Sequence, residues 1–190
     1  MNKIHLIFVL ILTISCNEVK EVKEEAITEV QEAMDPNYNP EAKLQELGIE
    51  LKTPSTPVAN YVHVVRTGNL LFLAGKGPKK TDGKNIVGKL GLDLTIEEGY
   101  EAARVAGINQ LAVLKSELGD LNKVKRIVKV KGMVNAVPEF TDQSKIVNGY
   151  SDLMVAVFGE RGKHARAAVG MGSLPGNMAV EVEMIVEVQD

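Results

Sequence analysis

The chain is 190 residues long, enough for one domain of ordinary size and a strain on two. Apolar residues make up 45% of it and charged residues 25%, the balance of a globular protein, which excludes wholesale disorder, collagen-like repeats and a disulfide scaffold. With no Trp, 4 Tyr, 4 Phe, one Cys and a net charge of −3, it is poorly supplied with stacking aromatics and with basic surface for nucleic acid, and it cannot form an internal disulfide or a thiolate metal cluster.

The first residues read as a processing signal. Lys3 precedes an apolar run at 6–12 that is too short for a bilayer, which needs ~20 residues, and of the right length for a signal-peptide core. The run closes in Thr13-Ile14-Ser15-Cys16, which resembles the lipobox of bacterial lipoproteins, with Thr13 where Leu is usual. The resemblance implies removal of residues 1–15, lipidation of Cys16, and a membrane anchor in the cell envelope facing either the periplasm or the exterior. The alternative is an ordinary signal peptide with an incidental cysteine. Residues 16–40 then form an acidic tether: positions 17–40 hold seven acids against two lysines, on a thin stripe of small apolar residues. Asp35-Pro36-Asn37-Tyr38-Asn39-Pro40 breaks any helix, and residues 41–190 form a single, nearly neutral domain.

Within the domain a short helix is expected at 42–47, ended by Gly48. Strands at 61–65 and 70–73 flank Thr67-Gly68-Asn69 as a β-hairpin. Thr95 and Glu98 have capping-box spacing and open a helix whose stripe runs through Tyr100, Ala103, Leu111, Leu114 and Leu118 to Gly119. A valine-rich strand follows at 124–134. A second helix from near Thr141 carries Ile146, Tyr150, Leu153 and Val157 on one face and stops at Gly159. Two last strands are joined by a short loop, and the final one alternates, with Val180, Val182, Met184, Val186 and Val188 on one side and Glu181, Glu183, Ile185 and Glu187 on the other. This order predicts an α+β fold, a mixed sheet covered on one face by two helices.

Few residues offer chemistry. The histidines His5, His63 and His164 are scattered, so no metal site is expected, and Gly75-Lys76-Gly77-Pro78 lacks the phosphate-loop pattern and reads as a strand-end turn. No Gly-x-Ser-x-Gly elbow supports serine catalysis. Arg166, however, stands among small residues in Ala165-Arg166-Ala167-Ala168, a setting in which a planar guanidinium can grip a carboxylate with two hydrogen bonds. Glu181, on the following strand, reaches the same region if the two strands pair. An Arg–Glu ion pair at a sheet edge or subunit contact is the structural alternative.

His164-Ala165-Arg166-Ala167-Ala168-Val169, Leu174-Pro175 and Val180-Glu181-Val182-Glu183 together resemble the C-terminal motif of the RidA/YjgF/L-PSP family, and Ala74-Gly75-Lys76-Gly77-Pro78 resembles its strand-end motif. The segments 94–98 and 134–140 are similar to a longer-loop branch that carries an endoribonuclease or chorismate-mutase-like label. The resemblance implies a chorismate-mutase-like fold, a homotrimer with a site at each subunit interface, and no cofactor. It assigns the substrate carboxylate to Arg166, water to Glu181, and pocket positions to Tyr61, Gly75, Asn148 and Ala168. Ala168 stands where many members have cysteine, Ala74 where many have serine, Lys76 replaces glutamine and His164 replaces proline. The expected function is that of a lipid-anchored, exported enamine/imine deaminase converting 2-imino acids to 2-keto acids and ammonia. A non-catalytic binder of small carboxylates is the alternative, and an endoribonuclease fits the composition least.

Overall fold

The computed structural model describes residues 38–189, so the signal, Cys16 and all but the end of the tether lie outside the described residues. The first helix, α1 (Pro40–Glu46), starts two residues earlier than the sequence pattern suggests. Pro40, read as a breaker, occupies the helix start instead: a proline in the first turn leaves no donor unpaired, and the Asn39 side chain caps by accepting from the Ala42 N–H at 3.0 Å.

Strands β1 (Val64–Thr67) and β2 (Leu70–Lys76) form the expected hairpin, turning through Gly68-Asn69. Tyr61 and Val62 fall before β1 rather than in it. Helix α2 (Ile96–Leu118) has both halves of its capping box, Glu98 N–H to Thr95 Oγ1 at 3.2 Å and Thr95 N–H to Glu98 Oε2 at 2.9 Å, and the chain leaves it left-handed at Gly119. Strand β3 (Val124–Asn135), helix α3 (Gln143–Phe158), strand β4 (Ala165–Met171) and strand β5 (Val180–Val188) complete the domain.

The sheet order is β1-β2-β5-β3-β4, antiparallel throughout except for the parallel β3–β4 pair. A parallel pair needs a crossover, and α3 supplies it. Alternation then decides which face is core. Val180, Val182, Met184, Val186 and Val188 are buried, together with Val130 and Val134 of β3 and Leu71 and Leu73 of β2. This face receives Ala103, Leu111 and Leu114 of α2 and Ile146, Tyr150, Leu153 and Val157 of α3, all fully or nearly fully buried. The opposite face carries Val65, Phe72, Ile185, Lys129, Lys131 and Glu183, and no helix lies over it among the described residues.

Candidate functional site

Arg166 sits on β4 opposite Val130, whose side chain is fully buried, and therefore points to the helix-covered side. There α3 meets it. Asn148 and Ser151, three residues apart on one helix face, accept from its Nη1 through Oδ1 at 2.8 Å and Oγ at 3.0 Å. Both Nη1 protons are committed to the helix, while Nη2 and Nε have no partner among the described residues. Those two remaining groups present the parallel donors that a carboxylate accepts bidentately. Ala168, two residues along the strand, shares this side.

A second group of predicted residues gathers at the end of β2. The strand bulges there: Leu73 pairs with Met184 and Lys76 with Val182, so β2 spends one extra residue around Ala74-Gly75. Glu181 lies across the bulge. A Cβ on Gly75 would fall 2.2 Å from Glu181 Oε1, so glycine is what lets the carboxylate rest on the backbone. Burial raises the Glu181 pKa, the neighbouring Glu183 adds to the rise, and Lys76 opposes it.

Lys76 was read as a plain departure from the family's glutamine, but it has a built setting. His63 donates from Nε2 to the Ser55 carbonyl at 2.6 Å, leaving Nδ1 to accept from Lys76 Nζ at 2.8 Å. Burial lowers the Lys76 pKa, with Glu181 acting against it. The His63 ring in turn meets Tyr61 edge-on, with centroids 6.2 Å apart. Tyr61, Gly75 and Lys76 open onto a cavity of about 600 Å³ whose far wall includes Val105 and Ile108 of α2. Helix α2 also clamps the strand-end turn: Asn109 donates to the Gly77 and Lys79 carbonyls at 3.0 Å each, and Gln110, fully buried, donates to the Ala74 carbonyl at 3.3 Å.

The two groups do not meet within one chain. Glu181 pairs with Met133 and Arg166 with Val130, neighbours of opposite parity on β3, so their side chains leave the sheet on opposite faces. The condition under which Glu181 would reach Arg166, a pairing of β4 with β5, is not met: β3 lies between them. Asn148, Arg166 and Ala168 thus form one group of candidate residues, and Tyr61, Gly75 and Glu181 another. Sequence reasoning missed Ser151, which the three-residue spacing from Asn148 on a helix could have flagged; its Oγ lies 3.0 Å from Nε2 of His164, which the sequence showed only as a scattered histidine in place of proline. Among the described residues, no group of three or more His, Cys, Asp or Glu side chains is placed to hold a metal.

A five-stranded mixed sheet, helices on one face and candidate residues at strand ends define a chorismate-mutase-like α+β domain. Residues 41–188 match the family described as "YjgF/chorismate mutase-like, putative endoribonuclease", and the chain belongs to that family, the RidA/L-PSP group. Protein TCP17 of Trypanosoma cruzi is 45% identical over 150 residues, covering 78% of this chain and 94% of that one. A solved structure from Agrobacterium tumefaciens, of unknown function, is 42% identical with a TM-score of 0.74, over 79% of this chain and 92% of its own. One from Shewanella oneidensis, bearing the same endoribonuclease description, is 33% identical with a TM-score of 0.76, over 79% and 99%.

Proposed function

We propose that the chain is a deaminase that hydrolyses 2-imino acids, or their enamine tautomers, to 2-keto acids and ammonia, at a site assembled from the two half-sites of adjacent subunits in a trimer. The observation that carries this reading is the way each half is prepared for one task. Arg166 is fixed through Nη1 and keeps Nη2 and Nε for a carboxylate. Glu181, held over Gly75 with its pKa raised, is suited to accept a proton from water and pass it on.

In this reading Arg166 of one subunit grips the substrate carboxylate. Glu181 of its neighbour orients water toward the iminium carbon and takes a proton as the C–O bond forms. The proton goes to nitrogen, the C–N bond breaks as the hydroxyl proton of the tetrahedral adduct passes back to Glu181, and ammonia leaves with the keto acid behind. Orientation supplies most of the acceleration, because the iminium carbon is already electrophilic. Export and lipid attachment at Cys16 belong to the same proposal, which places this chemistry at the envelope membrane.

The test is ammonia release from imino acids generated by an amino-acid oxidase. The wild-type chain accelerates release, and Arg166→Ala loses about 100-fold, as expected on deleting a charged bidentate contact. Thermal stabilisation by keto acids with no acceleration of ammonia release would instead identify a binder of small carboxylates.

A further inference from the structure

The half-site around Arg166 holds more chemistry than a carboxylate grip uses. The Gly162 carbonyl can only accept, so its 2.7 Å contact places a proton on His164 Nδ1. Nε2 then presents a lone pair to Ser151 Oγ at 3.0 Å. Arg166 Nη1 donates to the same hydroxyl, also at 3.0 Å, which leaves the hydroxyl's own proton for the imidazole. Donation therefore runs one way, from Arg166 to Ser151 to His164 to Gly162. A nucleophile, its base and a group that orients the base stand in line, the arrangement by which unrelated hydrolases activate serine. Burial, and secondarily the charge of Arg166, lowers the His164 pKa against the pull of the Gly162 hydrogen bond, favouring the neutral ring that can take a proton. Ser151, His164 and Arg166 are all half-buried, neither sealed in the core nor free in solvent.

We propose that Ser151 and His164 form a nucleophile–base dyad that hydrolyses small esters carrying a free carboxylate. Ser151 Oγ attacks the ester carbonyl carbon and its proton passes to His164 Nε2. The bond to the leaving alcohol then breaks, and the alcohol takes that proton. Water attacks the resulting acyl-serine, giving a proton to His164, which returns it to Ser151 Oγ as the carboxylic acid departs. No oxidant, metal or second substrate is needed. The preference for a carboxylate rests on the role given to Arg166 in the deaminase reading; the dyad itself does not.

The test combines two probes on the full chain. A fluorophosphonate, which traps activated serines, is followed by peptide mass spectrometry, and turnover of 4-nitrophenyl hydrogen succinate is followed by nitrophenolate release. The expected result is phosphonylation at Ser151, absent in Ser151→Ala, with ester turnover falling at least ~100-fold in Ser151→Ala and in His164→Gln. Arg166→Ala is expected to lose the preference for this ester over its neutral methyl diester. An unlabelled Ser151 in wild-type protein, under conditions that label a control serine hydrolase, overturns the proposal, as does ester turnover that survives Ser151→Ala. Ammonia release is measured on the same samples: release without Ser151 labelling sinks the dyad alone, and labelling without release sinks the deaminase reading alone.

Discussion

At position 75 a methyl group meets a carboxylate rather than open space. The Cβ would lie 2.2 Å from Glu181 Oε1 and 2.9 Å from Glu181 Cγ, and the glutamate is the part able to move. Gly75→Ala is therefore expected to keep its far-ultraviolet circular dichroism and to lose at least ~10-fold in ammonia release, because a displaced base costs proton-transfer efficiency. Glu181 also leaves a mark on stability. Its folded pKa is raised above the ordinary value of 4.5, first by burial, so the folded state holds the proton longer than the unfolded chain does. Folding stability then falls as pH rises from the unfolded pKa through the folded one, and stays lower above both. Thermal melts should show Glu181→Gln more stable than wild type at neutral pH, with the difference closing below about pH 4. A difference that widens in acid would contradict the assigned cause.

The elements differ in how plainly the chain announces them. Helix α2 is written in local terms, with Thr95 and Glu98 at its start and Gly119 at its end, and all three do in the fold what their spacing suggests. Thr95→Ala is expected to cost about 1 kcal/mol, a fall of ~2–4 °C in melting temperature for a chain of this size. Where α2 crosses α3, Gly149 lies so close that a Cβ would come within 2.0 Å of the Tyr100 carbonyl oxygen. Gly149→Ala should therefore destabilise by ~1–3 kcal/mol or more through forced separation of the helices, readable in urea unfolding. What the sequence hides is pairing. A short loop between β4 and β5 suggests a hairpin, yet β3, which ends at Asn135 well before β5 begins at Val180, takes the place between them. Alternation along β5 shows which residues share a face, but only the intervening strand reveals that Arg166 and Glu181 do not. The candidate residues were thus nameable one by one from a motif, while their separation onto two faces depended on strand order. Ser151 went unseen, and Lys76 stood only as a departure from glutamine, because their partners, His164 and His63, are brought to them by folding.

At the scale of the whole molecule, the uncovered sheet face exposes the apolar side chains Val65 (56%), Phe72 (42%) and Val169 (37%). Lys131 and Glu183, 3.4 Å apart, interrupt it with a surface ion pair. The proposed trimer would bury this face and bring the Arg166 half of one subunit to the Glu181 half of the next. Phe72→Glu is accordingly expected to shift the sedimenting species toward monomer and to abolish ammonia release together, although Phe72 belongs to neither half-site. The most direct measurement is subunit complementation. Arg166→Ala and Glu181→Gln chains are dissociated, mixed in equal amounts and reassembled, and ammonia release is compared with each variant alone. If adjacent subunits supply the two residues, each variant is inactive and random mixing restores about a quarter of wild-type activity, since one interface in four then carries both native side chains. A mixture as inactive as its components, or a single variant that keeps full activity, would contradict a site shared between subunits.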